Sequence, residues 1–375
     1  MDEAARRSPG AKDGPIRVLI VDDSAMVRVL LRRHLSAERD IAVVGTAADG
    51  CEALSMVRRL DPDVITLDVT MPCMDGLSAL KEIMRERPRP VIMLSSLTGE
   101  GAEETVAALS LGALDFVTKP ADPGGMQEMT GELVGKIRRV MEARPALRPA
   151  MPDGLIQDQP GKAKVRPLAP KEAVVLIGAS TGGPGALRRV MARIPAGLPA
   201  AGVIVQHMPS GFTRALAGRL SEESPFLVRE ATQGEALAVG KWLVAPGGWH
   251  LTFDEQGRAV LDQSSLVHGV RPAIDVTLSS LARVFGSRLV AVILTGMGTD
   301  GTLGAQLVHA AGGRVIVEDR STCVVWGMPR SIEEAGIADA VLGLEDIAAA
   351  IARATSSFPG EIFDEKESDG RERTS

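Results

Sequence analysis

Ile16-Arg-Val-Leu-Ile-Val-Asp-Asp23 is a short apolar run that stops on two carboxylates, and its reading decides the fold of the first third of the chain. Val and Ile at this density suit a strand buried on both faces, as in a parallel sheet. Met26–Leu35 follows with apolar residues at helical spacing. Working outward, the same unit returns. Ile16–Val21, Ile41–Thr46, Val64–Leu67, Val91–Leu94 and Asp115–Val117 read as strands. Met26–Leu35, Cys51–Leu60, Leu77–Arg87 and Glu103–Leu111 read as the helices between them. The pattern predicts a five-stranded parallel sheet with helices on both faces, in a domain over residues 14–142.

From 143 to 172 the composition changes. Pro145, Pro149, Pro152, Pro160, Pro167 and Pro170 recur among Gly, Lys, Arg and Gln, which predicts a linker. A second alternating region follows over 173–355. Its strand candidates are Val174–Gly178, Gly202–Gln206, Lys241–Ala245, Leu289–Leu294 and Arg314–Glu318. Its helix candidates are Gly185–Arg193, Phe212–Leu220, Ala273–Val284, Gly301–Ala311 and Leu344–Arg353. A hairpin at Leu251–Leu261 predicts a mostly parallel, and so mixed, sheet with that hairpin added. The tail 356–375 is charged and polar and is expected to be disordered.

At 375 residues there is room for two domains with separate cores. Hydrophobic residues make up 45% and charged residues 24%, and the net charge is −6, so no basic footprint for nucleic acid is present. Cys51, Cys73 and Cys323 lie far apart, against a disulfide framework or a zinc site. The start, Met-Asp-Glu-Ala-Ala-Arg-Arg, lacks the apolar core of a signal peptide. No apolar run approaches the roughly 18 residues of a spanning helix. A cytoplasmic protein with no membrane insertion is expected.

Two chemical sites stand out at strand ends. In the N-terminal region Asp22 and Asp23 follow the first strand, Asp68 ends the third, and Lys119 follows the fifth. Ligand sites in open parallel sheets lie at these carboxyl ends. Converging carboxylates call for a hard divalent cation, and Mg²⁺ with oxygen ligands fits. A carboxylate placed there can take a phosphoryl group, with Lys119 neutralising its oxygens.

In the C-terminal region Gly178-Ala-Ser-Thr-Gly182 matches G-x-S-x-G, a strand-to-helix turn that exposes Ser180. Alone the match is weak, because glycine-flanked serines also cap helices or bind phosphate. His207 directly follows the next strand, and Asp300 follows the strong strand ending at Leu294. A nucleophile, a base and an orienting acid at three strand ends point to a serine hydrolase. The more usual Ser, Asp, His order would need His268 or His309 as base. His309 falls within an amphipathic helix, and His268 lies in a loop as a possible substrate contact.

Val-Asp-Asp-Ser-Ala-Met-Val-Arg, Leu-Asp-Val-Thr-Met-Pro-Cys-Met-Asp-Gly-Leu and Phe-Val-Thr-Lys-Pro resemble a response-regulator receiver domain, which has a flavodoxin-like fold. The resemblance implies Asp68 as phosphoacceptor and Asp22, Asp23, Asp68 and the Thr70 carbonyl as metal ligands. It also implies Ser95, Phe116 and Lys119 as the switch residues. Gly178–Gly183, Gln206–Pro209 with Gly211–Thr213, Ala245–Gly247, Arg271-Pro272 with Asp275-Val276, and Leu294–Gly301 resemble the catalytic domain of chemotaxis protein-glutamate methylesterases. That likeness implies a triad of Ser180, His207 and Asp300, Met297 N–H as oxyanion donor, and Thr181, Arg271 and Asp275 in the cleft. Gly248-Trp249-His250 departs from the family, which often has a charged residue after Ala-Pro-Gly. The expected function is a phosphorylation-activated serine esterase that removes methyl groups from receptor glutamates and releases methanol. The same triad is chemically able to attack a carboxamide, so deamidation of receptor glutamines is a second activity open to it. A histidine kinase is the expected phosphodonor, methyl-accepting chemoreceptors are the expected substrates, and the esterase step needs no cofactor. A DNA-binding regulator would carry a small basic helix-turn-helix domain instead, and a dead hydrolase fold would lack a triad member. The unphosphorylated receiver is expected to fold back over the Ser180 cleft.

Overall fold

The computed structural model describes residues 14–96, 98–120, 122–142 and 161–356. In the N-terminal domain the chain runs β1 (Ile16–Val21), α1 (Ala25–Leu35), β2 (Ile41–Ala47), α2 (Gly50–Leu60), β3 (Val64–Asp68) and α3 (Gly76–Glu86). It continues through β4 (Val91–Ser95), α4 (Gly99–Ser110), β5 (Asp115–Thr118) and α5 (Met126–Glu142). All strand pairs are parallel, in the order β2-β1-β3-β4-β5. Strand order reverses between β1 and β3, which sets Asp22 beside Asp68 at one edge. Ser24, Asp49, Asp75 and Thr98 cap helices by accepting N–H bonds from Val27, Glu52, Ser78 and Gly101. The Thr98 cap starts α4 at Gly99, a turn earlier than apolar periodicity predicts.

The C-terminal domain contains β6 (Arg166–Pro167), β7 (Ala173–Ala179), α6 (Gly183–Met191), β8 (Ala200–Gln206), α7 (Phe212–Glu223), β9 (Leu227–Glu230) and β10 (Ala238–Val239). There follow β11 (Lys241–Val244), β12 (His250–Phe253), β13 (Ala259–Asp262), α8 (Ile274–Phe285), β14 (Leu289–Ile293) and α9 (Thr302–Ala310). The domain ends with β15 (Arg314–Glu318), α10 (Met328–Glu334), β16 (Ala340–Leu342) and α11 (Leu344–Ser356). The seven-stranded sheet has the order β16-β15-β14-β7-β8-β11-β9, and every pair in it is parallel. β14, β7 and β8 are adjacent, so the residues after them meet at one edge.

The sheet is not mixed, which corrects the expectation from the hairpin. The hairpin forms, as β12 and β13, but stands as a separate two-stranded sheet. Leu251, Phe253 and Ala259 pack with Leu278 and Leu281 of α8 instead. The place beyond β11 is taken by β9, whose four residues, Leu-Val-Arg-Glu, are too short and polar to read as a strand. Residues 161–172, expected in the linker, lie along the C-terminal domain. β6 pairs with β10, and Ala163 N–H donates to Pro225 O at 2.8 Å. The rest of that stretch, and the tail beyond Ser356, lie outside the described residues.

The two domains share a face. Val106, Leu109 and Phe116 join Ala186, Leu187, Phe212 and Leu216 in one buried apolar cluster.

Candidate active site

Ser180 follows β7 directly, and a positive φ of 79° at Gly182 lets the chain turn at once into α6. The turn is pinned from both sides. Ser180 N–H donates to Thr295 O at 3.0 Å, and Gln206 Nε2 donates to Ser180 O at 2.9 Å. His207 emerges from β8, and Asp300 from the loop after β14. Between them runs a 2.8 Å contact from His207 Nε2 to Asp300 Oδ2. That contact leaves His207 Nδ1 as the nitrogen to serve Ser180. No hydrogen bond joins Ser180 Oγ to His207 in this arrangement, a looseness common before substrate binds.

Asp300 is buried and sits at the start of α8. It accepts from Ile274 N–H at 2.7 Å and Asp275 N–H at 2.9 Å. Burial pushes its pKa up, but the His207 bond and charge and these two N–H groups hold it below the ordinary value. It therefore stays ionised and can keep the imidazole oriented. Met297 lies in the same loop and lines the cleft. Among the described residues no acceptor takes its N–H or that of Thr181, so both are free to meet an oxyanion.

Around these residues lies a cleft of about 580 Å³. The C-terminal domain supplies Ser180, Thr181, His207, His268, Arg271 and Met297, and the N-terminal domain supplies Asp115, Phe116, Lys136 and Arg139. Arg271 is fixed by donating from Nη1 to Ser264 O at 2.6 Å. Asp275 does not reach the cleft surface; it lies buried behind His268, 2.8 Å from its Nε2. His309 is on the exposed side of α9, away from the cleft.

At the carboxyl edge of the other sheet, Lys119 Nζ lies 2.7 Å from both Asp22 Oδ2 and Asp68 Oδ2. Asp22, Asp23 and Asp68 each place a carboxylate oxygen within 4.8 Å of the others, an all-oxygen donor set that fits Mg²⁺. Burial raises the Asp68 pKa to about 6 against the pull of Lys119, and the Asp22 charge raises it further. Thr70 follows in an exposed loop, and Ser95 is buried at the end of β4.

A family model for the response regulator receiver domain matches residues 18–130, and one for the CheB methylesterase matches 175–351. A protein-glutamate methylesterase/protein-glutamine glutaminase of Symbiobacterium thermophilum is 50% identical over 91% of this chain and 97% of its own length. The protein of that name from Thermotoga maritima is 45% identical, over 88% of this chain and 96% of its own. The crystal structure of the Thermotoga maritima CheB methylesterase catalytic domain is 46% identical and covers 48% of this chain and 98% of that one, with a TM-score of 0.48.

The chain belongs to this methylesterase family.

The receiver reaches the nucleophile turn directly. Thr181 Oγ1 donates to Asp115 Oδ2 at 2.6 Å, and Gly182 N–H donates to Leu114 O at 3.1 Å. Phe116 stacks on Phe212 with centroids 4.5 Å apart, and Arg188 Nη1 donates to Ser110 O at 2.9 Å. Asp115 was missed in the sequence, although it stands next to Phe116, because its partner Thr181 is in another domain. Glu318 was also missed. It is fully buried at the end of β15 and accepts from Thr295 N–H at 2.8 Å, behind the loop of Met297 and Asp300. Burial raises its pKa to about 7 although that N–H opposes the rise. A charged residue closing an apolar strand was its only signal.

Proposed function

We propose that Ser180, His207 and Asp300 hydrolyse methyl esters of glutamyl side chains on methyl-accepting chemotaxis receptors, under control of phosphorylation at Asp68. The observation that carries this is the His207–Asp300 bond beside Ser180, in a cleft whose facing wall is the receiver. Ser180 Oγ attacks the ester carbonyl while His207 Nδ1 takes its proton. The N–H groups of Met297 and Thr181 receive the oxyanion. His207 returns the proton to the leaving methanol, and water then releases the acyl group as a free glutamate. With a glutamine side chain the leaving group is ammonia, and the protein-glutamine glutaminase in its relatives' names supports that second reaction.

For phosphorylation, Asp22, Asp23 and Asp68, with the Thr70 carbonyl, would hold Mg²⁺, which when bound supplies positive charge against the phosphoryl oxygens. Asp68 attacks the phosphorus of a histidine kinase's phosphohistidine, and Lys119 is placed to meet the transferred group. The change at Asp68 is passed by Ser95 and Phe116 to the interface with Phe212. A histidine kinase donor and a receptor substrate both fit a reaction in the cytoplasm. No helix among the described residues is long and apolar enough to cross a membrane.

The deciding experiment measures methanol release from methylated receptor membranes with and without a phosphodonor. Release that rises with the phosphodonor and vanishes in Ser180→Ala is expected. Release unaffected by Ser180→Ala would overturn the assignment.

A further inference from the structure

Beside the triad stands a second His–Asp pair that the mechanism does not use. His268 Nε2 lies 2.8 Å from Asp275 Oδ2 and 4.0 Å from Asp300 Oδ1. Asp275 in turn accepts Gly304 N–H at Oδ1, 2.7 Å away, and donates its own N–H to Asp300 Oδ1 at 2.9 Å. The two carboxylates thus sit together where the N-termini of α8 and α9 converge, and those helix ends stabilise negative charge. The cluster resembles a metal site in composition, but its carboxylate oxygens already have partners: His207, Ile274 N–H and Asp275 N–H on Asp300, Gly304 N–H and His268 on Asp275.

The chain goes out of its way to hold His268 there. Val267 and Val270 exchange N–H to O=C bonds of 3.2 and 3.0 Å around a two-residue turn. His268 and Gly269 occupy it with φ of 52° and 77°. Asn or Gly suits the first of these positions better than His, so the side chain is what the turn retains. Burial raises the pKa of Asp275, the Gly304 N–H opposes this, and the Asp300 charge adds to it. His268 covers this carboxylate on the cleft side and contacts it at 2.8 Å.

We propose that His268 and Asp275 are positioning residues for the triad: Asp275 ties the Asp300 carboxylate to the starts of α8 and α9, and His268 locks Asp275. The proposal rests on the triad reading above and deepens it. The carboxylate of Asp275 also adds to the field that favours a proton on His207 during attack. The remaining charged groups around this cleft are Arg271 and, from the receiver, Asp115, Glu132, Lys136 and Arg139.

The test is the rate at which a fluorophosphonate labels Ser180 in the full-length protein, followed from acid to neutral pH. Labelling abolished by Ser180→Ala establishes the nucleophile whatever the natural substrate is. Asp275→Asn keeps the backbone N–H on Asp300 but removes the charged partner of His268 and Gly304 N–H, and it should then slow labelling about tenfold, the scale of one buried hydrogen bond to a charged group. It should also move the acid limb of the profile to lower pH, because a negative charge that favours imidazolium is gone. His268→Ala should slow labelling as well, and His268→Gln, which can still donate to Asp275, should recover most of that loss. A folded Asp275→Asn protein with unchanged rate and acid limb would overturn the proposal and leave Asp275 a helix cap. Should that variant fail to fold, a wild-type rate in His268→Ala overturns it equally.

Discussion

As the proposed phosphoacceptor, Asp68 meets two opposed demands, since it must be buried to be shielded and ionised to attack. Burial wins in the metal-free protein, where its pKa rises to about 6. A raised carboxylate pKa stabilises the fold fully below the unfolded value near 3.9 and loses that contribution as pH climbs through about 6. At neutral pH the ionised, buried group is therefore a net cost. Asp68→Asn should raise stability at pH 7.5 without Mg²⁺ by on the order of 2 kcal/mol, and by little at pH 4. Chemical denaturation at both pH values checks this. Mg²⁺ should stabilise the wild type and do little for Asp68→Asn, which should also take no phosphoryl group from acetyl phosphate. Triad residues give a second test at this scale. Ser180→Ala, His207→Ala and Asp300→Asn should each lower methanol release roughly 10³-fold or more, and the Ser180→Ala/His207→Ala double variant should be little worse than Ser180→Ala. His309→Ala should be nearly silent, as its ring faces solvent on α9. These residues were legible because scarce chemical types stand at the ends of apolar strands. Asp275 was placed on the wrong side of its wall, since sequence shows that a carboxylate opens a helix but not which neighbours cover it.

Strands were most legible where burial is two-sided, as in β1, β7, β8 and β14. Among the misses, β9 and β16 are short edge strands of four and three residues whose pairing is decided by neighbours, β6 and β10 are two-residue strands, and the helices α5 and α10 were not anticipated either. The sheet edges that carry function follow from the order of strands, which sequence adjacency does not give. One contact between elements has a direct consequence. β5 of the receiver presses Asp115 and Phe116 against Thr181 and Phe212, at 2.6 Å and 4.5 Å. An aromatic stack of this kind contributes about 0.5–1.5 kcal/mol beyond its buried area. Phe116→Ala should accordingly raise methanol release by the unphosphorylated enzyme several-fold and blunt its response to a phosphodonor. Initial rates with and without acetyl phosphate measure both effects. An unaltered basal rate would mean that this stack does not hold the receiver closed.

Two domains on one chain become one device because the cleft is walled by both. The sequence suggested that the receiver folds back over the cleft, but it drew the linker too far, since residues 161–172 lie along the catalytic domain, and it did not show the hydrogen bonds that reach the nucleophile turn. In the closed arrangement a small ester can approach Ser180, whereas a glutamyl ester on a receptor helix must displace the receiver's α5 side chains from the rim. Phosphorylation can shift that balance only by its differential effect on the closed and open forms, typically 1–3 kcal/mol. Removing the receiver removes the whole barrier. Because β6 and Ala163 pair with the catalytic domain, a fragment must begin at Gly161, before those contacts, to keep that domain intact. Such a fragment should release methanol from receptors faster than the unphosphorylated full-length protein. Its fluorophosphonate labelling should rise less, since a small probe is hindered less. A fragment slower than the full-length protein on receptors, yet labelled equally fast, would show that the receiver delivers the enzyme to its substrate, and simple occlusion would fall.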